Sequence, residues 1–547
     1  MLRSVVAALS LAVVAANAWG IKATKAKISE PDLAVAERLY RQGVLPSGQP
    51  LRGEREGADP VEGPAAACVN CHRRSGFGTE EGRIVIPPIT GKYLFRAGST
   101  EAMEMAHPGS EAASHRRSRY TTQSLARAIR DGVDPDGRTL DYLMPRFRLD
   151  DATMTLLTGY LQQLSSHPVP GAMGDILEFA TVVTPDADPV KRQGMLDVLN
   201  HFFDNKNAYY RGDDPPLQSA RRIHFRVLRR WQLHVWELSG PSDTWEAQLH
   251  QHFKTEPVFA VLSGIGSETW EPVHRFCQSV SIPCLMPNVD LPVVEEGDFY
   301  PVYFSRGVLL EADVIANRLA NDSGRAGARR IIQVYRHDDI GVAAAKELSN
   351  AVRALGVRST TRELKSAQPA RELAAAVREA AEGDVLVLWL RPEDLEALPT
   401  TPAATKTVFV SGLMGGLESA PLPPAWREPA RMTYPFDLPP QRVIRMNYPL
   451  GWFRIQHIPV VDERTQTDTY LACSILAEAA GNMLDNFVPD YLIERAEVQL
   501  SHRIINGYFP RLGLAPGQRF ASKGAYLVRF PQPQGKQVVA DGDWIVP

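Results

Sequence analysis

The pattern of apolar residues divides the chain into two regions, and the first, up to residue 166, is predicted to be helical. One helix starts at Ser29, with a proline and an acid in its first turn, and stops at Gly43. A second helix follows Thr121 and is closed by Gly132. The third is capped by Asp150 and carries four apolar residues on one face, Leu157, Tyr160, Leu161 and Leu164.

From residue 175 onward the pattern changes to short apolar runs that alternate with amphipathic helices, after a linker predicted at 167–174. The apolar runs fall into two series. The first series consists of 177–183, 233–238, 258–262 and 282–286, and the second consists of 330–335, 384–390 and 408–411. Strands that alternate with helices indicate parallel sheets in a doubly wound fold. Two series therefore predict two α/β lobes.

Composition indicates an ordinary globular protein of several units. The 547 residues are 44% hydrophobic and 22% charged with a net charge of −3, so the global charge favours neither nucleic acid nor an anionic membrane as a partner. The N-terminus has a positive start at Arg3, a short apolar run over 5–15 and the small-x-small pattern Ala16-Asn17-Ala18. Because roughly 20 apolar residues are needed to cross a bilayer, we predict a cleaved signal peptide at 1–18, no membrane span and a periplasmic location.

Chemistry is concentrated in one motif, Cys68-Val69-Asn70-Cys71-His72. Two thiols three positions apart, followed by a histidine, are the attachment signature of a c-type haem, because the thiols reach two vinyl groups of the porphyrin and the imidazole ligates iron. A zinc site would require a second Cys/His pair at similar spacing, and the other cysteines do not form one. A thioredoxin-like redox dithiol would be expected within a βαβ unit, whereas Pro, Gly and Ala precede this motif. We predict one covalently attached haem c, with zinc and redox chemistry as the alternatives.

Around this motif, residues 29–166 closely resemble class I cytochrome c domains, especially those that serve periplasmic dehydrogenases. The matching stretches, in the family's order, are 68–72, 87–91, 126–138 and Met144-Pro145 followed by the last helix. The resemblance implies an all-α domain, ligation of the iron by His72 and Met144, and a contact from His72 to the carbonyl of Pro87 that fixes the tautomer. Other residues remain open as the sixth ligand, namely Met103, Met105, Met154, His107 and His115.

The remaining cysteines are Cys277, Cys284 and Cys473. Cys277 and Cys284 are close in sequence, and an oxidising compartment would permit a disulfide between them, although the sequence does not decide it. Cys473 lies in an apolar, helix-like run and is predicted to be a buried thiol.

Residues 175–547 are similar to type I periplasmic binding proteins of the branched-chain amino acid receptor kind. The similarity is carried by segments 261–264, 282–288 and 334–341, by the helix around Leu476, and by segment 522–526. It implies two lobes that close by a hinge on a ligand at the carboxyl ends of their strands. The family's amino-acid clamp is incomplete, because its tyrosine is Ile340 here and its later acid is replaced by the segment 412–416. The candidate cleft residues are Ser263, Ser267, Asn288, Asp290 and Tyr303.

Two main functions follow from these predictions. The first is an exported mono-haem cytochrome that carries out electron transfer with a periplasmic redox partner such as a quinoprotein-type dehydrogenase, because an iron with two protein ligands has no open position for substrate. The alternative is a periplasmic solute-binding or sensing protein with a small-molecule ligand, in which haem is a secondary module. A weaker third hypothesis is a scaffold whose cleft has lost its ligand. In none of these is the protein an enzyme, and no catalytic residue is predicted.

Overall fold

A computed structural model describes residues 29–82, 84–96, 117–210, 229–326, 330–366, 369–484, 486–502 and 507–547. The chain divides into two compact units, with the boundary between Ser166 and His167. The predicted signal peptide at 1–18 lies outside the described residues. Among the residues that are described, no helix has the length and apolar character needed to cross a membrane.

The first unit contains the three predicted helices, and their end signals are confirmed. In chain order its helices are α1 (Glu30–Gln42), α2 (Val69–His72), α3 (Gly91–Leu94), α4 (Thr122–Asp131) and α5 (Asp151–Gln163), with a 3₁₀ turn at Gly63–Ala66. The side chains of Ser29, Thr121 and Asp150 accept hydrogen bonds from backbone N–H groups in the first turns of α1, α4 and α5. Gly43 and Gly132 end α1 and α4 in the left-handed conformation. The apolar faces of these helices meet in one core.

The first unit is not all-α, and that part of the prediction is wrong. Strands β1 (Arg52–Arg55), β2 (Ala58–Glu62) and β5 (Arg146–Phe147) form an antiparallel sheet in the order β2-β1-β5. A separate hairpin pairs β3 (Thr79–Glu81) with β4 (Ile84–Ile86). These strands are two to five residues long and show no sustained alternation of apolar and polar residues, so periodicity does not mark them in the sequence.

The second unit contains two α/β lobes, as predicted. The sheet of the first lobe consists of parallel strands β6 (Ile176–Val183), β7 (Arg230–Glu237), β8 (Ala260–Leu262), β9 (Cys284–Leu285) and β10 (Pro301–Val302). Their spatial order is β10-β9-β8-β6-β7. The order reverses between β6 and β8, and in doubly wound sheets ligands bind outside the carboxyl ends of the strands at this switch point.

The sheet of the second lobe repeats this order and then extends it. The parallel strands are β11 (Arg330–Arg336), β12 (Arg358–Leu364), β13 (Val385–Trp389), β14 (Thr407–Val410) and β15 (Ala430–Tyr434). They are followed in space by β16 (Tyr526–Arg529) and β17 (Val539–Ala540), which pair antiparallel, so the order is β12-β11-β13-β14-β15-β16-β17. The expectation of purely parallel sheets is therefore wrong for this lobe.

Helices cover the sheets of the second unit, and one of them returns from the second lobe to the first. They are α6 (Pro189–Tyr210), α7 (Trp245–Thr255), α8 (Glu271–Ser279), α9 (Val308–Ala326), α10 (Gly341–Arg353), α11 (Ala370–Glu379), α12 (Pro392–Glu396), α13 (Gly412–Gly415), α14 (Pro424–Arg427), α15 (Pro439–Ile455), α16 (Glu463–Gly481) and α17 (Pro489–His502). The returning helix is α16, which packs on α6 and reaches the end of β8 through Thr469. This return places polar side chains of α16 beside the carboxyl ends of the first-lobe strands.

A disulfide joins Cys277 in α8 to Cys284 in β9, which decides the pairing that the sequence left open. Cys473 is buried in α16, as predicted.

Replacing both Cys277 and Cys284 with alanine is expected to lower the free energy of unfolding by about 2–3 kcal/mol, because the bond restricts the unfolded chain. Both sulfur atoms are also in the core, so some packing is lost with them. Urea denaturation of the variant and the wild-type chain measures the difference. Wild-type protein treated with a reductant keeps both sulfur atoms and should lose only the part that comes from the bond, and unchanged midpoints in both experiments would contradict the prediction.

Candidate functional site

The first unit encloses a cavity of about 370 Å³ that the haem motif borders. Cys68, Cys71, His72, Pro87 and Met144 all line it, so the structure brings the five residues predicted for haem to one place. The rest of the lining is mainly apolar and includes Leu39, Tyr40, Leu125, Ile129, Phe147, Leu157 and Leu161. Small-molecule and cofactor sites commonly have volumes of about 300–1,000 Å³ and an apolar lining of this kind.

His72 is held in the state that a metal ligand needs. Its Nδ1 lies 3.1 Å from the carbonyl oxygen of Pro87, so Nδ1–H donates there and Nε2 keeps its lone pair. Burial lowers the pKa of His72 to about 4, and the contact with Pro87 opposes this only in part. The imidazole is therefore neutral at neutral pH.

The approach of Pro87 to His72 depends on Gly78. The N–H of Gly78 donates to the carbonyl oxygen of His72 at 3.1 Å. Gly78 has a φ of +77°, and a Cβ on it would lie 2.0 Å from the carbonyl oxygen of Ile86 and 3.0 Å from that of Pro87. A side chain at this position would push the Pro87 segment away from the imidazole.

Met144 lies in a loop that Arg146 fixes through backbone carbonyl groups. The guanidinium of Arg146 donates to the carbonyl oxygen of Met144 and, at 3.2 Å, to that of Leu140. It packs directly on Gly132, where a Cβ would lie 2.0 Å from Arg146 Cζ. The thioether is thus carried by a fixed loop that borders the cavity.

The other candidates for a sixth ligand are placed differently. Met154 is buried in the core on α5 and is not among the residues that line the cavity. Met103, Met105, His107 and His115 lie outside the described residues.

The zinc alternative requires further ligands near Cys68 and Cys71. Within the ranges that the structure describes, the set of three or more His, Cys, Asp or Glu ligand atoms that lie within 4.8 Å of one another is His274, Glu295 and Asp298, in the second unit. The motif therefore has a wide apolar cavity beside it and no second ligand pair among the described residues, which fits haem better than zinc.

In the second unit, three of the five predicted cleft residues follow the carboxyl ends of β8 and β9. Ser263 comes directly after β8, and Asn288 and Asp290 come shortly after β9. The Asn288 amide donates to the hydroxyl of Ser263 at 2.9 Å and to that of Thr469 at 3.2 Å. The polar groups of Ser263 and Asn288 are therefore bonded to one another and to α16.

The other two predicted cleft residues have contacts of a different kind. The backbone N–H of Ser267, together with that of Glu268, donates to the carboxylate of Asp186, at 2.8 and 2.6 Å. Tyr303 is buried, and its hydroxyl lies 2.8 Å from Nδ1 of His274 in the interior of the first lobe.

A small cavity of about 10 Å³ lies where the two lobes meet. Three predicted cleft residues, Asn288, Asp290 and Tyr303, line it from the first lobe, together with Arg464 and Asp468 from α16 and Leu413 from the second lobe. Arg464 and Asp468 were not predicted from the sequence. The signal that could have found them is a group of charged residues in the first two turns of a helix that is otherwise apolar.

Arg464 is the central cation of this cleft. Its Nη2 donates to Asp290 at 2.8 Å, and its Nε lies 3.7 Å from the carboxylate of Asp468. The guanidinium also lies over the ring of Phe436 from the second lobe, 4.9 Å from the ring centre. One cation therefore faces two carboxylates.

The two carboxylates differ in their protonation. Burial alone would raise the pKa of Asp290, but Arg464 outweighs this effect and the pKa is lowered. For Asp468 burial dominates, and it raises the pKa to about 7 although Arg464 opposes it. Asp290 is thus ionised at neutral pH, whereas Asp468 is divided between its two forms.

The corresponding edge of the second lobe is occupied by the chain's own charged groups. The buried carboxylate of Glu311 accepts hydrogen bonds from the Ser411 and Thr433 hydroxyls, at 2.5 and 2.7 Å, and from the backbone N–H groups of Gly412 and Leu413, both at 3.0 Å. Burial raises the pKa of Glu311 to about 7, and these hydrogen bonds limit the rise.

At the switch point of the second lobe, between β11 and β13, an arginine and an aspartate pair with each other. Arg391 follows β13 and donates to both carboxylate oxygens of Asp339, which follows β11, at 2.8 and 2.9 Å.

Comparison with known proteins gives matches among solved structures. No protein-family model and no curated protein matches the chain. The chain is similar to a fatty acid ABC transporter substrate-binding protein from Thermomonospora curvata, with 14% identity and a TM-score of 0.49 over 70% of this chain and 95% of that one. It is also similar to a substrate-binding periplasmic protein from Ralstonia solanacearum, with 13% identity and a TM-score of 0.46 over 67% and 100%. A branched-chain amino acid ABC transporter protein from Thermus thermophilus with bound valine gives 11% identity and a TM-score of 0.46 over 68% and 97%.

These findings correct the main functional prediction. The two-lobed unit, residues 167–547, makes up most of the described chain. The prediction that the protein is a cytochrome whose function is electron transport with a periplasmic dehydrogenase is therefore wrong. Whether Cys68–His72 holds haem is a separate prediction that this likeness does not test.

Proposed function

We propose that this protein is an exported solute-binding or sensing protein whose first unit carries one covalently attached haem as a secondary module. The observation that carries the solute-binding part is the cleft of the second unit, where residues of both lobes converge on one cavity outside the carboxyl ends of parallel strands. In the closed form described here the cavity of about 10 Å³ has room for roughly one water molecule, so a solute enters when the lobes part.

The haem part of the proposal rests on the fit of the first-unit cavity. Cys68 and Cys71 would hold the porphyrin through thioether bonds, while His72 and Met144 would ligate its iron. A neutral imidazole whose Nδ1–H is bonded to a carbonyl oxygen is the form that binds iron through Nε2. Bound haem would supply a redox-active iron with both axial positions taken by protein.

The haem assignment predicts a specific spectrum. The purified full chain is expected to show a covalent haem spectrum, and Met144→Ala is expected to abolish the thioether–iron charge-transfer band while the haem stays attached. Met154→Leu is the matched control, because Met154 packs in the core away from the cavity and its replacement should leave the band in place. Absence of covalent haem in the wild-type chain would overturn the haem module, and survival of the band in Met144→Ala would overturn the distal ligand.

The solute-binding part is tested on the same full chain by thermal shift. A panel of small alcohols, acids, amines and amino acids is screened, and at least one class is expected to raise the melting temperature of the second unit as its concentration rises. A panel without any concentration-dependent shift would contradict solute binding and would favour a scaffold role. The haem spectrum is recorded in parallel, because it responds to the first unit and its outcome is independent of the screen.

A further inference from the structure

The hydrogen-bond donors at the cleft edges of both lobes are already taken by carboxylates of the chain. In the first lobe, Asp186 accepts from the N–H groups of Ser267 and Glu268, in the turn that follows β8. In the second lobe, Glu311 fills the group of donors that follows β14. A ligand carboxylate would have to displace one of these internal anions.

The cations of the cleft are also paired. Arg464 donates to Asp290, and Arg391 donates twice to Asp339. These pairs are short and charge-assisted, so an anionic ligand would have to compete with Asp290 and Asp339 for the two guanidinium groups.

What the cleft offers instead is an acceptor. Asp468 lines the cavity and is only 2% exposed. Within the described residues its Oδ1 has no hydrogen-bond donor, and its Oδ2 has only the Nε of Arg464 at 3.7 Å, beyond hydrogen-bonding distance. A buried carboxylate oxygen without a donor costs free energy, which a ligand with an N–H group could recover.

We infer, on the basis of the proposed solute-binding function, that the cleft takes a small organic cation whose protonated amine donates to Asp468. Asp290 and Asp468 both face the guanidinium of Arg464, which donates to Asp290, so the Asp468 carboxylate is the acceptor left for a ligand. The apolar part of the cation lies against Phe304 and Phe509, which line the same cavity and stack with ring centres 5.2 Å apart. Carboxylate and aromatic groups together are a common means of recognising ammonium ions.

The experiment compares three probes that share one carbon skeleton, 3-methylbutylamine, 3-methylbutanoate and leucine, by calorimetry on the full chain. The amine is expected to bind more tightly than the zwitterion, and the carboxylate is expected not to bind. At pH 7 amine binding should release protons, seen as a dependence of the heat on the ionisation enthalpy of the buffer, because the ammonium ionises the Asp468 carboxyl, whose pKa is about 7. The charged groups that face Asp468 are Arg464, Asp290 and Asp462.

The sign of the pH dependence follows from the same group. Below its pKa Asp468 is protonated and must lose its proton before it accepts from the ammonium, so amine affinity should fall about tenfold between pH 8 and pH 6. Asp468→Asn is expected to weaken amine binding about tenfold or more and to remove both the proton release and the pH dependence. Asp243→Asn, which changes an exposed aspartate in the same lobe, is the control and should behave as wild type.

Each outcome separates this inference from the proposed function. If leucine or 3-methylbutanoate binds at least as well as the amine, the cation inference fails while solute binding stands. Amine binding that is unchanged in Asp468→Asn overturns the role of Asp468. If none of the three probes binds, the cation inference is contradicted, whereas the proposed function is decided separately by the thermal-shift panel. The buffer experiment on the wild-type chain gives a result even if Asp468→Asn does not fold.

Discussion

Replacing Cys68 and Cys71 together with alanine is expected to unfold the first unit of the chain while the second unit stays folded. The proposed haem would fill the cavity of about 370 Å³ around which the first-unit core is built. An unfilled cavity costs about 24 cal/mol per Å³, so loss of the group corresponds to a penalty of roughly 9 kcal/mol. A small domain has a total stability of about 5–15 kcal/mol, and the penalty is of the same size.

Calorimetry and limited proteolysis of the full chain measure this effect. The variant should lose one unfolding transition, and cleavage should be confined to the first unit, residues 29–166. Wild-type chain produced without haem attachment is the control, because it keeps both thiols and should behave like the variant. A variant whose first unit resists proteolysis as the haem-containing chain does would contradict a core organised around haem.

Arg519→Met is expected to cost the second unit about 3–5 kcal/mol of unfolding free energy, because it removes one member of a buried ion pair. Arg519 and Glu497 form an ion pair in which the side chains are only 6% and 3% exposed. Arg519 also donates to the carbonyl oxygen of Phe299 at 2.8 Å and lies over the ring of that residue. The pair therefore ties α17 to the segment that leads into β10.

Chemical denaturation of Arg519→Met beside Arg275→Met tests this prediction. Arg275 pairs with Glu271 on α8 at 3.1 Å, but both side chains are about half exposed, so its loss should cost less than about 1 kcal/mol. Equal losses in the two variants would show that burial of the Arg519 pair does not matter for stability.

Local signals in the sequence predicted most of the helices and the buried strands. A helix cap depends on one residue, such as Ser29, Gly132 or Asp150, so it can be recognised in the sequence. A fully buried strand such as β13 can be recognised because all five of its residues are apolar. Edge and antiparallel strands were missed for a physical reason. Strand β12 lies at a sheet edge and is largely exposed and polar, so it has no apolar pattern. Strand β16 is only four residues long and pairs with a strand about 90 residues earlier, so local sequence does not reveal its place in the sheet.

The two candidate sites differ in how far the sequence could predict them. The haem motif is contiguous, so its spacing was sufficient to mark it, and the family resemblance supplied the contact with Pro87, which lies 15 residues away. The cleft is assembled from segments that are far apart, since Arg464 meets Asp290 across 174 positions. Tyr303 illustrates the limit, because it stands at the end of a cleft strand while its hydroxyl contacts His274 in the interior.

The return of α16 to the first lobe has a consequence for how the chain folds as it emerges during synthesis or export. The first unit is continuous in sequence and needs no residue beyond 166, so with haem attached it can fold first. Neither lobe of the second unit is continuous, because Thr469 completes the edge at Ser263 and β16 completes the sheet beside β15. Both lobes therefore remain incomplete until residues beyond 460 are available. Holding chaperones are expected to be needed most in that interval, between the folding of the first unit and the arrival of α16.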